Sequence, residues 1–498
     1  MEGTIVYAGA SVAGRRGVAV RHGRIAALGD PSSLCRRFPD ATVRTVRGVF
    51  FPAALDGHLH LLEYGLALGE VDLRGLGAGE ALARLAQARG ALGSTAFLRG
   101  YGARQAVLSE IAAHRDALAD LGPVRLWGQD FHTALTDPQT AVHLGLDRSV
   151  PTGGEAVRDA RGHLTGILLE AAAAVLAEAA APSAAELIPA TRRAIQTLMR
   201  QGIVGAVTFE RAPGEAAVAK VTEELPFRAF VYRYAEDLEL GEAPGALSAR
   251  AARIGAKYFM DGTLGSRTAW MEAPFCDTDS TGIARLDPEQ ALGEMHAVSA
   301  RGFALAVHAI GDRAALEALR ILKGMPIGHA PHRIEHLQIV PAGFAQEIAS
   351  AGVTASVQPC HLEQDLAEAR GAWTDRLALA YPYHAFLQSG ARLAFGSDAP
   401  IEEPSLRLGL RWATGADAVG GGVRHAIAAD DAWRAYTEGV YESVGRQGGR
   451  IAVGEPANLA LYAQGPLEDD APTLVLSEGV LVHCDEGAYH EEAQQALN

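Results

Sequence analysis

The chain has little of what marks a secreted or membrane-spanning protein. It has four cysteines in 498 residues and no C-x-x-C pair, so neither a disulfide framework nor a zinc ribbon is indicated. No charge-free apolar run reaches the length of a membrane span. The opening Met-Glu-Gly lacks the basic region that begins a secretory signal. We therefore expect a cytoplasmic protein.

Positive charge is also scarce. Lys and Arg total 44 against 59 Asp and Glu, which gives a formal net charge of −15 at pH 7. Nucleic acids and anionic membranes select basic surfaces, so this balance argues against both as partners. The apolar content of 48% is that of an ordinary globular chain with ample core. The sequence leaves the oligomeric state open, a homo-oligomer included.

The most informative stretch is 50–60, Phe-Phe-Pro-Ala-Ala-Leu-Asp-Gly-His-Leu-His. It predicts a buried strand that runs through Pro52 and delivers His58 and His60. Side chains two positions apart in a strand point the same way, so these two imidazoles can bind one ion. The competing interpretation is two unrelated loop histidines.

A repeated unit fills the middle of the chain: a helix ends at glycine, and a short apolar run follows that finishes on polar residues. Glycine suits the left-handed position just past a helix, and runs this short suit strands buried on both faces. The candidate strands are 50–55, 203–209, 227–232, 256–260, 303–307, 333–337, 353–357 and 391–395. A (β/α)8 barrel requires eight. A doubly wound open sheet is the competing fold, but no glycine-rich phosphate fingerprint follows the first strand.

The two ends of the chain differ from this middle. Residues 1–49 and 450–498 alternate short β-type runs with glycine-rich turns, which predicts one small composite β domain built from both termini. Residues 50–449 form the predicted barrel, and 61–182 is too long for an ordinary barrel loop. We predict an insertion over the active-site mouth. The predicted fold class is therefore α/β, a TIM-like barrel with an added β domain.

Polar residues end several of the candidate strands. His308, His336 and Asp398 each follow or end an apolar run, where such barrels keep their sites. Imidazole and carboxylate suit zinc and similar divalent ions, and a bound ion activates water as a nucleophile. Asp398 is the candidate that moves the proton. Taken singly, His308 could be a core histidine, Glu335 or Arg333 could hold His336, and Asp398 could be a turn residue.

Six segments form an ordered set that is specific as a whole. They are Asp-Gly-His-Leu-His (56–60), Lys-Tyr-Phe-Met-Asp-Gly (257–262) with Ser-Arg-Thr-Ala (266–269), His-Ala-Ile-Gly-Asp (308–312), Arg-Ile-Glu-His (333–336), Gly-Ser-Asp-Ala-Pro (396–400) and Gly-Glu-Pro-Ala-Asn-Leu (454–459). Together they resemble the metal-dependent amidohydrolase superfamily, most closely its YtcJ-like branch, which includes N-substituted formamide deformylases. Asn458 departs from this pattern, because an aspartate is more usual there.

The resemblance implies a hydrolase that cleaves a non-peptide C–N bond, an N-acyl or N-formyl amide of a small molecule, by metal-activated water. By this resemblance His58 and His60 hold one ion, His308 and His336 hold a second, and Asp398 binds metal and shuttles protons. Two zinc ions are expected, and iron, manganese or cobalt would suit the same ligands. A mononuclear deaminase or cyclic-amide hydrolase of the same superfamily, or a regulatory barrel without turnover, would also be compatible with these motifs.

Lys257 resembles the lysine that hydantoinases and other dinuclear members carboxylate to bridge their metals. Unmodified, it would be an ammonium beside cations, which electrostatics disfavours. As a carbamate formed with CO2 it becomes an anionic ligand. Lys257 could instead pair with Asp261, and the bridge could be Glu170, whose Thr-Gly-Ile-Leu-Leu-Glu context also resembles a motif of the branch.

The remaining predictions concern the substrate pocket, and its candidate residues are Asp130, His132, Glu170, Arg267 and Gln358. Asp130 and His132 resemble the family's Asp-x-His segment, although they could equally be a surface-loop pair. Arg267 could clamp a substrate carboxylate, as arginine forks do. Gln358 and His361 fall on the active side of the barrel, unless the Gln-Pro pair serves only a turn.

Overall fold

The computed structural model describes residues 3–92, 96–128, 133–151, 154–415 and 426–492. The strands are β1 (Ile5–Val12), β2 (Arg15–Arg21), β3 (Arg24–Leu28), β4 (Thr42–Val46), β5 (Val49–Pro52), β6 (Ala54–Leu59), β7 (Val71–Asp72), β8 (Leu98–Ala103), β9 (Val124–Gly128), β10 (Thr133–Leu135), β11 (Gly154–Arg158), β12 (Leu164–Glu170), β13 (Ile203–Glu210), β14 (Arg228–Tyr234), β15 (Gly245–Ala246), β16 (Ala251–Phe259), β17 (Ala304–Ala309), β18 (Arg333–His336), β19 (Thr354–Val357), β20 (Arg392–Phe395), β21 (Leu459–Tyr462), β22 (Leu474–Ser477), β23 (Val480–Cys484) and β24 (Tyr489–Glu492).

The α-helices are α1 (Pro31–Arg37), α2 (Leu61–Ala67), α3 (Ala78–Arg89), α4 (Gln105–Ala113), α5 (Arg115–Asp120), α6 (Pro138–His143), α7 (Ala171–Ala179), α8 (Ala184–Arg200), α9 (Ala212–Glu224), α10 (Pro288–Ala300), α11 (Asp312–Leu322), α12 (Phe344–Ser350), α13 (Leu362–Ala372), α14 (Tyr383–Ser389), α15 (Leu406–Thr414), α16 (Ala429–Tyr436) and α17 (Glu438–Ser443). Short 3-10 helices span Ala235–Asp237, Pro359–His361 and Thr374–Leu379.

The central sheet is a parallel, nearly closed barrel. Its strand order is β6-β13-β14-β16-β17-β18-β19-β20, and each neighbouring pair is parallel. β13 and β17 are buried along their whole length, as expected of strands covered on both faces. The amide of Asp398, just past β20, donates to the carbonyl oxygen of His58 in β6 at 2.7 Å, which joins the first and last strands. The predicted (β/α)8 barrel is confirmed.

The first barrel strand differs from its prediction. The interval 50–55 was expected to be one strand, but the chain forms β5 and β6 with a break at Ala53. β5 pairs antiparallel with β21 in another sheet, and only β6 joins the barrel. The one-strand prediction is therefore wrong. The physical reason is Pro52, which has no N–H to donate to a ladder and so favours a strand end.

A second sheet contains strands from both ends of the chain. Its main path is β23-β22-β21-β5-β1-β2-β3, with β4 paired to β1 and β24 to β4. Tyr7, Val18, Phe50, Leu459 and Leu476 contribute to its core. This sheet therefore combines strands from the amino-terminal and carboxyl-terminal ends of the chain. The predicted domain limits, 1–49 with 450–498, stay a prediction.

The chain divides into two compact units, Met1–Leu62 with Ala194–Asn498, and Glu63–Arg193. The second unit has its own six-stranded sheet, in the order β11-β12-β10-β9-β8-β7, and a core that includes Leu85, Leu108 and Leu126. The predicted insertion, 61–182, covers most of this unit. Its position over the mouth of the barrel stays a prediction.

No single helix in the described part of the chain has the length and apolar composition of a membrane span. Helices α7 and α8 meet those criteria only when taken together, and they are bent by 96° at the break between them.

Candidate metal centre

The carboxyl-terminal ends of the barrel strands bring four histidines and one aspartate together. His58 lies in β6, His308 in β17 and His336 at the end of β18, while His60 and Asp398 follow β6 and β20. The ring centroids of His308 and His336 are 4.4 Å apart, and those of His58 and His336 are 4.8 Å apart. Ligand atoms of His58, His336 and Asp398 all lie within 4.8 Å of one another.

Two of these residues adopt a backbone conformation that L-residues rarely use. His336 has φ 75° and Asp398 has φ 63°, in the left-handed region that costs non-glycine residues about 1–3 kcal/mol. β20 also approaches β6 closely, because a Cβ added at Gly396 would lie 2.3 Å from the His58 nitrogen. This local cost is incurred where the polar side chains converge, which is typical of a functional site.

His58 and His60 each bind the protein through one ring nitrogen. The Nδ1 atom of His58 lies 2.6 Å from Oε2 of Glu335, and Nδ1 of His60 lies 3.3 Å from the Phe209 carbonyl oxygen. A carboxylate and a carbonyl only accept, so Nδ1 of each ring carries a proton. Nε2 of each ring faces Asp398 Oδ1, at 3.3 Å from His58 and 3.4 Å from His60.

His308 and His336 are also each held by one protein acceptor, His308 through Nε2 and His336 through Nδ1. Nε2 of His308 donates to the Gly262 carbonyl oxygen at 3.0 Å, and Nδ1 of His336 donates to Oε1 of Gln358 at 2.9 Å. Burial, followed by the charge of Lys257, lowers the pKa of His308 to about 3, and burial lowers the pKa of His336 well below its ordinary value. Both rings are therefore neutral, the state that a metal ligand requires.

Asp398 is the anionic group of the cluster. Its Oδ1 faces His58 and His60, and its Oδ2 lies 3.6 Å from Nε2 of His361. Burial opposes ionisation, but the imidazoles of His58 and His60 hold the pKa of Asp398 well below its usual range. The carboxylate is therefore charged at neutral pH and can accept a proton.

Glu335 and Arg333 support the cluster from behind. Both side chains are fully buried, and Nε of Arg333 donates to Glu335, while Nη2 of Arg333 donates to the Gly57 carbonyl oxygen at 2.6 Å. Burial would raise the pKa of Glu335, but Arg333 and then His58 hold it below its usual range. Glu335 thus binds His58 rather than its chain neighbour His336. A carboxylate behind a histidine is the usual support for a metal-ligating ring.

Lys257 is buried inside the barrel, and among the described residues no carboxylate forms an ion pair with it. Its Nζ lies 4.1 Å from the ring centre of Phe209 and 5.2 Å from that of Phe259. Burial lowers the pKa of Lys257 to about 8, although Glu335 and Asp398 oppose this shift. Asp261 does not pair with Lys257, because its carboxylate accepts hydrogen bonds from three backbone amides at 2.8–3.1 Å.

The five residues predicted to contact the substrate lie in different parts of the chain's structure or outside its described residues. Asp130 and His132 lie outside the described residues. Glu170 ends β12 in the second unit, with φ 52°. Arg267 donates to both carboxylate oxygens of Asp277, at 3.0 Å and 2.9 Å, and Gln358 is buried against His336.

Three further residues contact the centre, and the sequence assigned none of them a role. His361, expected only on the active side of the barrel, presents its Nε2 to Asp398. Asp56 accepts from the backbone amides of His58 and Ser397 at 2.9 Å and 3.1 Å, and burial raises its pKa to about 6. The hydroxyl of Tyr234 lies 3.1 Å from Nδ1 of His60. The available signal for His361 was its place three positions after Gln358, past a strand end.

This donor set fits a divalent ion. Each of the four rings is oriented by a protein acceptor, Nε2 of His58 and of His60 faces Asp398, and most of the cluster is buried. Imidazole nitrogen with carboxylate oxygen is the ligand chemistry of zinc and its neighbours. The fold and the cluster therefore define a (β/α)8-barrel protein with a candidate metal centre at the carboxyl-terminal ends of its strands.

Comparison with known proteins gives the family. The sequence model of the amidohydrolase family matches residues 48–485, and the chain belongs to this family. The resemblance inferred from the motifs is thereby confirmed, and the membership supports a hydrolase. A model of the imidazolonepropionase-like composite domain of bacteria matches residues 17–41.

Individual relatives cover most of the chain. A Bacillus subtilis (strain 168) protein named as an amidohydrolase, YtcJ, is 27% identical over 465 residues, which are 86% of this chain and 87% of that one. The Arabidopsis thaliana protein LONG AFTER FAR-RED 3 is 28% identical over 442 residues, 80% of this chain and 75% of that one. An uncharacterised metal-dependent hydrolase from Pyrococcus horikoshii OT3 has the same fold, with a TM-score of 0.80 at 23% identity over 94% of this chain and 99% of that one.

Proposed function

We propose that this protein is a metal-dependent hydrolase that cleaves a non-peptide C–N bond, an N-acyl or N-formyl amide of a small molecule. One observation carries the proposal. Four histidines each bind a protein acceptor through one ring nitrogen, and the other ring nitrogen of His58 and of His60 faces Asp398. Four imidazoles and one carboxylate that converge at the carboxyl-terminal ends of barrel strands are the ligand chemistry of a divalent metal centre.

The proposed cofactor is a pair of zinc ions, and the same ligands would accept iron, manganese or cobalt. His58 and His60 would hold one ion, His308 and His336 the other, and Asp398 would contribute its carboxylate. When bound, a divalent ion acidifies water and polarises the bond that water attacks. We further propose that Lys257 is carboxylated, because a buried lysine with a pKa of about 8 supplies the neutral amine that CO2 requires.

The chain's own residues then handle the proton. Asp398 is charged, buried and close to His58 and His60, so it can accept the proton of the attacking water. As the new C–O bond forms and the C–N bond breaks, Asp398 passes this proton to the departing nitrogen. His361 lies beside Oδ2 of Asp398 and would flank that transfer. Glu335 keeps the ring of His58 fixed throughout.

One observation favours a mononuclear enzyme, a deaminase or cyclic-amide hydrolase, as the second candidate. Among the described residues, only His58, His336 and Asp398 bring three ligand atoms within 4.8 Å of one another. A site of this kind needs no carbamate, and Lys257 would then be a cation that stabilises developing negative charge. Metal stoichiometry separates the two proposals.

The test is a substrate panel assayed with zinc-loaded protein. N-formyl and N-acetyl amines represent the leading proposal, while amino-purines, amino-pyrimidines and hydantoins represent the second. Release of formate or acetate with a free amine supports the first, and release of ammonia or ring opening supports the second. No turnover on any member would contradict both and leave a regulatory barrel. In the leading proposal the partner is a small-molecule amide in the cytoplasm, without nucleic acid or membrane; a homo-oligomer is compatible with it.

A further inference from the structure

An aromatic wall connects the two sides of the metal centre. The ring of Tyr234 stacks on His60 at 6.4 Å, and Phe259 stacks on Tyr234 at 5.8 Å with an interplanar angle of 9°. Phe259 in turn lies 5.4 Å from the ring of His308. Phe259 follows Lys257 by two positions on β16, so both side chains face the barrel interior. It is the last inward residue of that strand and is half-buried.

Arg285 covers this wall from the solvent side. Its amide donates to the Met260 carbonyl oxygen at 2.8 Å, which fixes the residue at the end of β16. Its guanidinium lies 5.2 Å from the ring centre of Phe259, and the residue is exposed. The guanidinium of Arg285, the ring of Phe259 and the imidazole of His308 therefore lie one after another in space at this end of the barrel.

Arg285 differs from two other arginines at this end of the barrel. Arg211, just past β13, pairs with Glu236 and Asp237 at 3.0 Å each. Arg267, in the same loop as Arg285, is bound by Asp277. Within the described ranges, no carboxylate lies within ion-pair distance of Arg285, whose guanidinium instead stacks on Phe259.

The charge of Arg285 affects the pKa of Asp261, but the two side chains form no ion pair. Burial raises the pKa of Asp261 to about 7, while its backbone hydrogen bonds and then Arg285 oppose this shift. The oxygens of Asp261 are occupied by the amides of Trp270, Ile310 and Gly311. The guanidinium donors of Arg285 therefore remain available to a ligand.

Arg285 can be compared with an arginine that stacks on an aromatic ring and has a structural role alone. Arg301 provides the comparison, because its guanidinium lies 5.3 Å from the Phe303 ring at the opposite end of the barrel. That arginine also donates to the Glu239 carbonyl oxygen at 2.9 Å, so its polar group has a partner within the fold. Arg285 has equivalent stacking, but its guanidinium donates to no acceptor in the described part of the chain.

We propose that Arg285 binds a carboxylate of the substrate, and that the substrates are amides bearing a carboxylate, as N-acylated amino acids do. This inference rests on the proposed function of the same site. A guanidinium presents two parallel N–H donors that match a carboxylate. In a chain with a net charge of −15, a local cation also offsets the repulsion of an anionic substrate. The apolar part of the substrate would then lie on Phe259.

The experiment compares two amides that differ only in this charge, N-acetylphenylalanine and N-acetylphenylalaninamide, on zinc-loaded protein. We expect the wild type to prefer the carboxylate in kcat/KM. Arg285→Ala should lose about ten- to a hundredfold on the carboxylate, mainly through KM, with little change on the neutral amide. Arg285→Lys should recover part of the loss. Arg301→Ala is the matched control and should leave both values unchanged.

Binding is measured alongside turnover, by calorimetry with the same two compounds. Equal binding of both by the wild type, or an Arg285→Ala protein that keeps the preference, would overturn the role of Arg285. A wild type that binds the carboxylate preferentially but cleaves neither compound would uphold Arg285 as the anion site and contradict the proposed hydrolysis. The two proposals can therefore fail separately.

Discussion

Adjacent strands β14 and β16 carry two buried charged clusters that differ in one respect. On the outside of the barrel, Arg233 and Arg253 share the carboxylate of Glu215, and Arg253 also binds Glu242 at 2.7 Å. Every charge there has a partner. On the inside, Lys257 follows Arg253 on β16 beyond a register irregularity between Arg253 and Gly255, which changes the face that side chains occupy. Lys257 contacts aromatic rings, and the imidazoles of the candidate metal centre lie nearby.

The comparison distinguishes the outer cluster, whose charges stabilise the fold, from the inner cluster, whose groups are suited to bind a ligand. A buried charge is tolerated when it is paired and hydrogen-bonded, and removing one partner is costly. The outer cluster meets this condition within the protein. In the inner cluster Lys257 has no carboxylate partner among the described residues, and the histidines with Asp398 are the ligand types that bind a divalent cation. The predictions below test this division, from the largest expected effect to the smallest.

Removing the charge of Asp398 should abolish turnover and spare the fold. Asp398→Asn keeps the size of the side chain but cannot accept a proton, so we predict a loss of about 10²- to 10⁴-fold in kcat. The measurement is steady-state kinetics beside circular dichroism. Retained activity in a folded, metal-loaded variant would remove Asp398 from the chemistry.

The matching change in the outer cluster should act on stability. Glu215→Ala leaves the guanidiniums of Arg233 and Arg253 without their shared carboxylate, so the free energy of unfolding should fall by about 3–5 kcal/mol. Chemical denaturation measures this fall, and metal content per folded chain should stay unchanged. A loss of metal without a loss of stability would contradict the division between the clusters.

Support for the metal ligands should have an intermediate effect. Glu335→Gln weakens the acceptor that orients His58, and we predict a loss of about 10- to 100-fold in metal affinity. Competition with a chelator measures the affinity. Asp277→Asn serves as a control at the same end of the barrel, because it leaves the support of His58 intact. An unchanged affinity in Glu335→Gln would mean that His58 is not a ligand.

The smallest effect is expected at Arg267. Its pair with Asp277 is partly exposed, and such pairs contribute about 0–1 kcal/mol. Arg267→Ala should therefore change the free energy of unfolding by less than about 1 kcal/mol, measured by the same denaturation. A larger loss would show that this loop is coupled to the inner cluster.

The barrel could be predicted from sequence because its strands have a clear pattern. Short apolar runs after helix-ending glycines located the strands, and polar residues at their ends located the side chains that converge. The break at Ala53 was missed because apolar character continues across it, and only the loss of the Pro52 N–H marks the change of sheet.

Contacts between residues on distant strands could not be predicted from the sequence. Glu335 is next to His336 in the chain yet binds His58, because neighbours in a strand point to opposite sides and His336 leaves the strand at φ 75°. The pair of Arg267 with Asp277 and the three amides around Asp261 likewise depend on the path of loops. Spacing gives the direction of a side chain but not its partner.

The most direct test of the central claim is metal content, measured by elemental analysis on protein purified with bicarbonate and without chelator. The account predicts about two divalent ions per chain, falling to about one in Lys257→Ala. One ion in both proteins would make Lys257 a structural lysine and favour the mononuclear enzyme. No ion, even after zinc is added, would contradict the assignment of this histidine cluster as a metal centre.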